Sequence, residues 1–166
     1  QDKNIRAVLL ASALLNENFN IPASAITKGL KDVVKVTGLR GRWDILSKKP
    51  LIIADIAHNE AGIKEVFSQV KNIPHKKLHI VFGTVNDKDI GKILKLLPKK
   101  ATYYFCKADI PRALDPTVLW AEAQKFKLSG QIFTTVKVAL NNAKKNTFRG
   151  DLILITGSAF VVAEAI

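Results

Sequence analysis

Residues Pro50–Asn59, with the sequence PLIIADIAHN, place an acid, an imidazole and an amide directly after a short apolar run. The run, opened by a proline, has the length and composition of a buried β-strand. In open α/β sheets, ligands bind at the carboxyl ends of the strands, where polar side chains of this kind stand. The alternative is that Asp55 or Asn59 only caps the following helix and that His58 lies on the surface.

The rest of the chain alternates between strand and helix patterns. We predict strands at 50–55, 78–83, 101–106, 131–134 and 151–156, and helices at 60–71, 88–97, 116–127, 135–145 and 159–165. Strands separated by helix-length segments form parallel βαβ units, and the almost wholly apolar runs Leu78–Gly83 and Leu152–Thr156 are typical of strands buried on both faces. The predicted fold class is α/β: a Rossmann-like, mostly parallel sheet with helices on both faces. An antiparallel edge strand is compatible with it.

Two further helices are predicted before this sheet. Apolar residues recur at helical spacing over 3–15, and Pro22 lies near the first turn of a second helical stretch. Because two helices joined by a short loop cannot bury both faces alone, residues 1–37 are interpreted as the tail of a preceding domain. Residues 38–49, basic and glycine-containing, are predicted to be a linker, and 50–166 the second domain. Since the chain does not begin with methionine, we expect a longer parent protein.

Composition narrows the function classes. Of the 166 residues, 48% are hydrophobic, and the net charge is +12. No apolar run approaches the ~20 residues of a membrane span, and no secretory signal is visible. The single Cys106 permits no disulfide within the chain, fits a reducing cytoplasm and is interpreted as a core residue. The lysines are scattered without interleaved aromatic residues, so neither a nucleic acid nor a membrane is expected as a partner.

Four polar clusters follow predicted strands: Asp55–Asn59, Gly83–Asp89, Lys107–Arg112 and Thr156–Ser158. The carboxyl ends of parallel strands share one edge of a sheet, so we expect these clusters to line one crevice.

The phosphate-binding chemistry of this crevice is incomplete. Neither Gly-x-x-x-x-Gly-Lys-Ser/Thr nor Gly-x-Gly-x-x-Gly after a strand occurs in the sequence. The domain is therefore not predicted to bind a nucleotide unaided. Arg42 is the exception, since a guanidinium on a linker can reach a cleft and pair with two phosphate oxygens. A solvated linker arginine is the alternative.

Three roles can be considered for His58 from the sequence pattern. A nearby carboxylate such as Asp55 can orient an imidazole, and the pair would then contact a ligand. Metal binding is disfavoured because His75 and His79 belong to a different element. A serine hydrolase triad is disfavoured because Ser158 lacks the Gly-x-Ser-x-Gly context.

In their order, these motifs resemble the folylpolyglutamate synthase/dihydrofolate synthase family of the Mur ligase superfamily, over essentially the whole chain. The matches are Gln1–Asn4 with Tyr-Gln-x-x-Asn, Leu39–Arg42 with Trp-Pro-Gly-Arg, Asp55–Asn59 with Asp-Gly-Ala-His-Asn, 83–89 with the Gly…Asp-Lys-Asp segment, and Thr156–Ser158 with Thr-Gly-Ser. Two departures concern local geometry: Ile56 stands where the family has glycine, and Leu39-Arg40 where it has Trp-Pro.

The resemblance implies an ATP-dependent ligase that joins L-glutamate to folate or dihydropteroate through an acyl phosphate. By matched position, it implies that Asn4, Arg42 and Asp55 contact ATP. It places His58 and Ser158 near the glutamate site, as the catalytic candidates. The segment Asp87-Lys88-Asp89 is expected beside the site, or as a cap of the following helix.

The resemblance also implies ATP and Mg²⁺ as cofactors, with the metal ligands upstream of this chain, which alone should be inactive. The expected partners are the small-molecule substrates ATP, glutamate and folate or dihydropteroate, and the expected protein is a cytoplasmic monomer. Two alternatives remain open. One is the C-terminal domain of a peptidoglycan Mur ligase, and the other is a basic nucleic-acid-binding module.

Overall fold

The computed structural model describes residues 2–86 and 89–166, with only the backbone for Asp2 and Lys3. The chain divides into two compact units. We call Gln1–Arg40 the helical unit and Gly41–Ile166 the sheet unit.

The described part of the helical unit contains three helices, α1 (Asp2–Asn16), α2 (Ala23–Lys31) and α3 (Val33–Thr37). Pro22 precedes α2, as its fixed φ favours. Gly38 ends α3 in the left-handed conformation that glycine adopts most easily. The first two helices were predicted, whereas α3 is too short to give a periodic signal. Many of the unit's large apolar side chains are exposed, among them Leu10, Leu14, Phe19 and Val36.

The sheet unit is built on six strands within the described residues. They are β1 (Asp44–Lys48), β2 (Leu51–Ala54), β3 (Leu78–Phe82), β4 (Thr102–Phe105), β5 (Gly130–Ile132) and β6 (Leu152–Thr156). Their order is β1-β2-β6-β3-β4-β5. Only the β1–β2 pair is antiparallel, and the other neighbours are parallel. The predicted α/β class with a mostly parallel sheet is confirmed.

Helices cover both faces of this sheet, also as predicted. They are α4 (Glu60–Lys71), α5 (Ile90–Leu94), α6 (Pro116–Lys125), α7 (Val136–Lys145) and α8 (Ala159–Ala165). Buried residues of α4–α6 form one core, and those of α7 and α8 form the other. Neighbouring strand residues such as Ile52 and Ile53 enter opposite cores, because successive strand side chains point to opposite faces. Each buried aliphatic side chain contributes about 1.5–3 kcal/mol.

Two predicted segments differ from the structure. Residues 38–49, predicted to be a linker, contain strand β1, which pairs with β2 through Asp44 opposite Ala54. As an edge strand it leaves Ile45 exposed, so it lacks the apolar run that marks the central strands. Helix α5 ends at Leu94 and not at 97, since the chain continues in tighter three-residue turns. Its predicted start at 88 lies outside the described residues.

Candidate functional site

The carboxylate of Asp55 organises the turn that follows β2. The backbone N–H of Asp55 donates to the Ile155 carbonyl of β6 at 3.0 Å, which continues the hydrogen bonding of the sheet beyond β2. Its Oδ1 accepts the N–H of Ala57 at 2.9 Å, and its Oδ2 accepts the N–H of Trp43 at 2.8 Å. Hydrogen bonds to an ionised acceptor are about twice as strong as neutral ones. The half-buried carboxylate therefore ties the β2 turn to the segment that carries Arg42.

Arg42 lies between two backbone anchors. On one side, Gly41 is buried at φ 76°, and its carbonyl accepts the Ile56 N–H at 2.8 Å. A Cβ on Gly41 would lie 2.9 Å from side-chain carbons of Ile56 and Val162, so only glycine fits there. On the other side, Trp43 adopts φ 50° and donates to Asp55. The arginine's backbone is thus held beside the ends of β2 and β6, while its side chain is exposed.

His58 and Asn59 have different local roles. Asn59 is the N-cap of α4, and its Oδ1 accepts the Gly62 N–H at 2.8 Å, so the capping alternative is right for this residue. His58 is exposed, and its Nδ1 lies 2.9 Å from the Ile56 carbonyl. Because a carbonyl can only accept, Nδ1 carries the hydrogen of this contact. The contact that orients the imidazole is therefore with a carbonyl. The sequence had suggested Asp55 for this role, and that suggestion was wrong.

The end of β6 is bonded directly to the β2 turn. The Ala57 carbonyl accepts the Gly157 N–H at 3.0 Å and the Thr156 hydroxyl at 3.3 Å. Gly157 has φ 105°, and a Cβ there would lie 2.5 Å from the Gly83 carbonyl oxygen. The Asp55–Asn59 and Thr156–Ser158 clusters are therefore joined by hydrogen bonds. Gly83, from the cluster after β3, approaches Gly157 too closely for a side chain there.

Ser158 is the N-cap of α8 and is only 4% exposed. Its Oγ accepts the Phe160 N–H at 3.2 Å. Because an accepting hydroxyl keeps its own proton, Ser158 still has one O–H to donate.

A cleft of about 400 Å³ opens beside His58. Its other lining residues are Asn59, Glu60, Asp89, Lys92 and Ile93. Across it, Lys92 Nζ lies 3.1 Å from Asp89 Oδ2, and both side chains are largely exposed. Asp89 occupies the N-cap position of α5, although no capping hydrogen bond from its side chain is found among the described residues. Asp87 and Lys88, which were also predicted to lie near the site, are outside those residues.

The cluster that follows β4 joins the same edge. The Arg112 carbonyl accepts the Asn86 N–H at 2.9 Å, and the Arg112 guanidinium lies 5.0 Å from the centre of the Phe160 ring. The Asp109 N–H donates to Glu164 of α8. Sequence reasoning missed this stacking. The only sign of this stacking in the sequence was that the expected topology puts Arg112 and Ser158, which is close to Phe160 in the chain, at one edge of the sheet.

The structure brings Asp55, His58 and Ser158 to the carboxyl edge of β2 and β6, as the clusters predicted, and the backbone of Arg42 lies beside them. Asn4 belongs to the helical unit, where it is an exposed residue of α1. Its contact with ATP stays a prediction. Within residues 2–86 and 89–166, no group of three or more His, Cys, Asp or Glu side chains is arranged to hold a metal ion.

Two other observations limit the chemistry. Burial, with a smaller contribution from the charge of Glu164, raises the pKa of the Cys106 thiol to about 12, so it is not a nucleophile in the folded chain. No helix of the described segments combines the length and hydrophobicity needed to cross a bilayer.

Comparison with known proteins gives a consistent set of relatives. A family model described as Mur ligase, glutamate ligase domain, matches residues 41–159. A probable bifunctional folylpolyglutamate synthase/dihydropteroate synthase from Haloferax volcanii is 34% identical over 149 residues, or 88% of this chain and 17% of that protein. A UDP-N-acetylmuramoyl-L-alanyl-D-glutamate–2,6-diaminopimelate ligase from Wolinella succinogenes is 31% identical over 91 residues, or 53% of this chain and 20% of that protein.

Among solved structures, FolC from Escherichia coli in complex with DHPP and ADP superposes with a TM-score of 0.79 and 26% identity. The match covers 93% of this chain and 36% of that one. The chain therefore spans little more than a third of that structure, and less of the two relatives above.

Proposed function

Because this chain belongs to the Mur ligase family through its glutamate ligase domain, we propose that it is the C-terminal portion of an ATP-dependent ligase that joins L-glutamate to folate or dihydropteroate. The observation that carries the proposal is the turn holding Arg42, which Asp55 and Ile56 bond to the end of β2. A cation fixed beside the carboxyl edge of a parallel sheet fits a phosphate-bearing substrate. The relatives from Haloferax volcanii and Escherichia coli support the folate branch.

In the proposed reaction, a carboxylate oxygen of the folate substrate attacks the γ-phosphorus of ATP, and ADP leaves. The α-amine of glutamate then attacks the acyl phosphate carbon, loses a proton, and displaces inorganic phosphate as the amide forms. Arg42 is assigned to the phosphate oxygens, where a guanidinium neutralises charge during transfer. Asp55 positions the arginine turn through Trp43, and we retain its predicted contact with the nucleotide, together with that of Asn4, as part of the proposal.

His58 and Ser158 are assigned to glutamate. The Ser158 hydroxyl, which accepts from Phe160, keeps a proton to donate to a substrate carboxylate. The His58 ring, oriented through Nδ1, is assigned to the amino group of the incoming amino acid. Their separate elements, the turn after β2 and the start of α8, are held together by the bonds to the Ala57 carbonyl.

The metal requirement is assigned to the rest of the parent protein. Arg42 suits the phosphates of ATP, and among the described residues no group of three or more His, Cys, Asp or Glu side chains is arranged to hold a metal ion. We also propose, from the family resemblance, that the chain acts only within the full-length protein, in the cytoplasm and as a monomer. In this scheme residues 1–37 are the tail of the central ATPase domain, 38–40 connect it to the sheet unit, and the sheet unit, which includes β1, is the ligase domain. The exposed apolar side chains of the helical unit support the first assignment.

A second candidate is the C-terminal domain of a peptidoglycan Mur ligase. The observation that favours it is the 31% identity to the Wolinella succinogenes diaminopimelate ligase, although that match covers only 53% of this chain. The two candidates share the ATP half of the reaction and differ in the carboxylate substrate that is phosphorylated and in the amino acid that is added.

The test is glutamate- and folate-dependent phosphate release from ATP by the full-length parent. Arg42→Ala should lower the rate by about a hundredfold or more, as loss of one charge-stabilising donor does. Arg42→Lys keeps the charge but not the paired donors, so its rate should lie between those of wild type and Arg42→Ala. Lys64→Ala, an exposed lysine of α4, is the matched control and should leave the rate unchanged.

Phosphate release that needs a cell-wall precursor and not a folate would move the protein to the peptidoglycan branch. Full activity of Arg42→Ala would refute the assignment of the arginine turn. Growth rescue of a strain lacking folylpolyglutamate synthase by the full-length parent provides the independent check.

A further inference from the structure

A second cleft lies at the opposite edge of the sheet. Its volume is about 570 Å³, and it is lined by three loops: Lys48–Leu51 between β1 and β2, Pro74 before β3, and Thr147–Leu152 before β6. All three loops precede parallel strands, so the cleft is at the amino-terminal edge. A strand of five residues spans roughly 16 Å, which separates this cleft from the ligase site. Its size falls in the range of small-molecule pockets.

The charge of the cleft is positive. Lys48, Lys49 and Arg149 line it and are exposed. Asp151 is the only acid among the described lining residues, and it is 5% exposed. Its oxygens accept the backbone N–H groups of Lys77 at 3.1 Å and of Phe148 at 2.9 Å. The one negative charge is thus turned into the protein and bonded there, which leaves three cations without an acidic counterpart in the wall.

The loop that carries Phe148 and Arg149 is held in one conformation. The Asp151 N–H donates back to the Phe148 carbonyl at 3.0 Å, and the Lys76 N–H donates to the Gly150 carbonyl at 2.8 Å. Gly150 has φ 96°, and the methylene carbons of Lys76 pack against it. Asp151 also contacts the buried His79, with 3.4 Å between Oδ2 and Nε2. A wall fixed in this way loses little conformational freedom when a ligand binds.

The cleft also presents an aromatic face. Phe148 is 70% exposed, and it is accompanied by Pro50, Leu51 and Pro74. An exposed ring among cations suits a ligand that has both a planar apolar part and anionic groups. A nucleotide is such a ligand. Its base can stack on an aromatic side chain, and its phosphates can pair with lysine and arginine.

We propose that this cleft binds a nucleoside phosphate, with the base against Phe148 and the phosphate groups on Lys48, Lys49 and Arg149. The site is separate from the ligase site and does not depend on the function proposed above. Inorganic polyphosphate shares the anionic chemistry without the ring, and a single-stranded nucleic acid shares both parts in a polymer. The experiment below distinguishes these three.

The experiment titrates the ¹⁵N-labelled 166-residue chain with ADP, adenosine and tripolyphosphate, and follows backbone amide shifts by NMR. ADP should shift the amides of residues 147–152 and bind about tenfold or more tightly than either adenosine or tripolyphosphate. Phe148→Ala should weaken ADP about fivefold or more and leave tripolyphosphate unchanged. Lys48→Ala/Lys49→Ala should weaken the binding of both ADP and tripolyphosphate about tenfold. The salt dependence of binding should not increase for either anion.

The matched control is Lys99→Ala/Lys100→Ala, which removes two adjacent exposed lysines outside the cleft and should leave ADP binding unchanged. The exposure of Lys48, Lys49 and Phe148 makes their variants compatible with folding, and a dispersed amide spectrum verifies this for each.

Four results would overturn the proposal: no shifts in 147–152 at about 5 mM ADP, equal affinity for ADP and tripolyphosphate, shifts confined to residues 55–59, or a single-stranded oligonucleotide bound through these residues far more tightly than ADP. None of them refutes the ligase assignment, which is tested by phosphate release in the full-length parent. Shifts confined to residues 55–59 would instead report the nucleotide contact proposed for Asp55.

Discussion

Asp55 holds Trp43 across twelve residues of sequence, with 2.8 Å between the carboxylate Oδ2 and the backbone nitrogen. The same carboxylate holds Ala57 through Oδ1. One side chain therefore fixes both the turn after β2 and the backbone beside Arg42. A nucleotide-contacting role for Asp55 would be added to this positioning role, and the two are separable by experiment.

The first prediction concerns the stability that Asp55 provides. Asp55→Asn keeps one acceptor oxygen but presents a donor to the second N–H, so it should lower the free energy of unfolding by about 1.5–3 kcal/mol. Asp55→Ala removes both acceptors and should cost about twice as much. Urea unfolding of the 166-residue chain, followed by tryptophan fluorescence, measures both.

Asp109→Asn is the matched control, because this aspartate is exposed and the change should stay within about 0.5 kcal/mol. Equal stability of Asp55→Asn and wild type would show that the turn is held by other contacts.

The second prediction separates the two roles of Ser158. Glycine is nearly as good an N-cap as serine, whereas alanine costs about 1 kcal/mol. If the hydroxyl binds glutamate, Ser158→Gly and Ser158→Ala should raise the KM for glutamate equally in the full-length parent and leave the KM for ATP unchanged. A rise found only in the alanine variant would mean that Ser158 acts as a cap of α8.

The third prediction concerns the contact between Gly157 and Gly83. Gly157→Ala would put a Cβ 2.5 Å from the Gly83 carbonyl oxygen, and residue 157 has φ 105°, where alanine is strained. The free energy of unfolding should therefore fall by about 3 kcal/mol or more. Gly91→Ala is the control in the same unit, because its new Cβ would meet nothing closer than 3.5 Å. A Gly157→Ala variant as stable as Gly91→Ala would contradict the close approach of β3 and β6.

The fourth prediction is a pH dependence. Burial raises the pKa of Asp151, but hydrogen bonds from Phe148, His79 and Lys77 and the charge of His79 outweigh it, so the pKa lies below its ordinary value. The folded state therefore gains stability from this carboxylate above the unfolded pKa of about 3.9 and loses it as the pH falls through the lower folded value. Wild type should lose more stability than Asp151→Asn between about pH 5 and pH 3.

Urea unfolding at several pH values measures this difference, and Asp109→Asn should follow the wild-type pH profile. Parallel profiles for wild type and Asp151→Asn would show that the carboxylate is not the group responsible.

The fifth prediction uses Cys106 as a reporter of opening. Its thiol is fully buried and its pKa is raised to about 12, so a disulfide reagent at pH 8 should modify it only as fast as the sheet unit opens. In denaturing urea the reaction should be immediate. Complete modification within the mixing time in native buffer would contradict the burial of the strand end.

Much of the sheet unit was predictable because its signals are local. Central strands such as Leu152–Thr156 are buried on both faces, and their apolar runs are visible without any partner. Strand β1 was missed because an edge strand with exposed Ile45 carries no such run. The helix cap at Asn59 could not be separated from a ligand role by sequence, since the same residue type serves both.

By itself, the sequence determined the α/β class, five of the six strands, and the convergence of Asp55, His58 and Ser158 at one edge, because hydrophobic periodicity and parallel topology set these. Only the tertiary structure decided that Asp55 bonds Trp43, that a carbonyl orients His58, and that Gly157 approaches Gly83 too closely for a side chain. These relationships join residues distant in sequence, and a pattern that repeats every two to four residues carries no information about contacts over such separations.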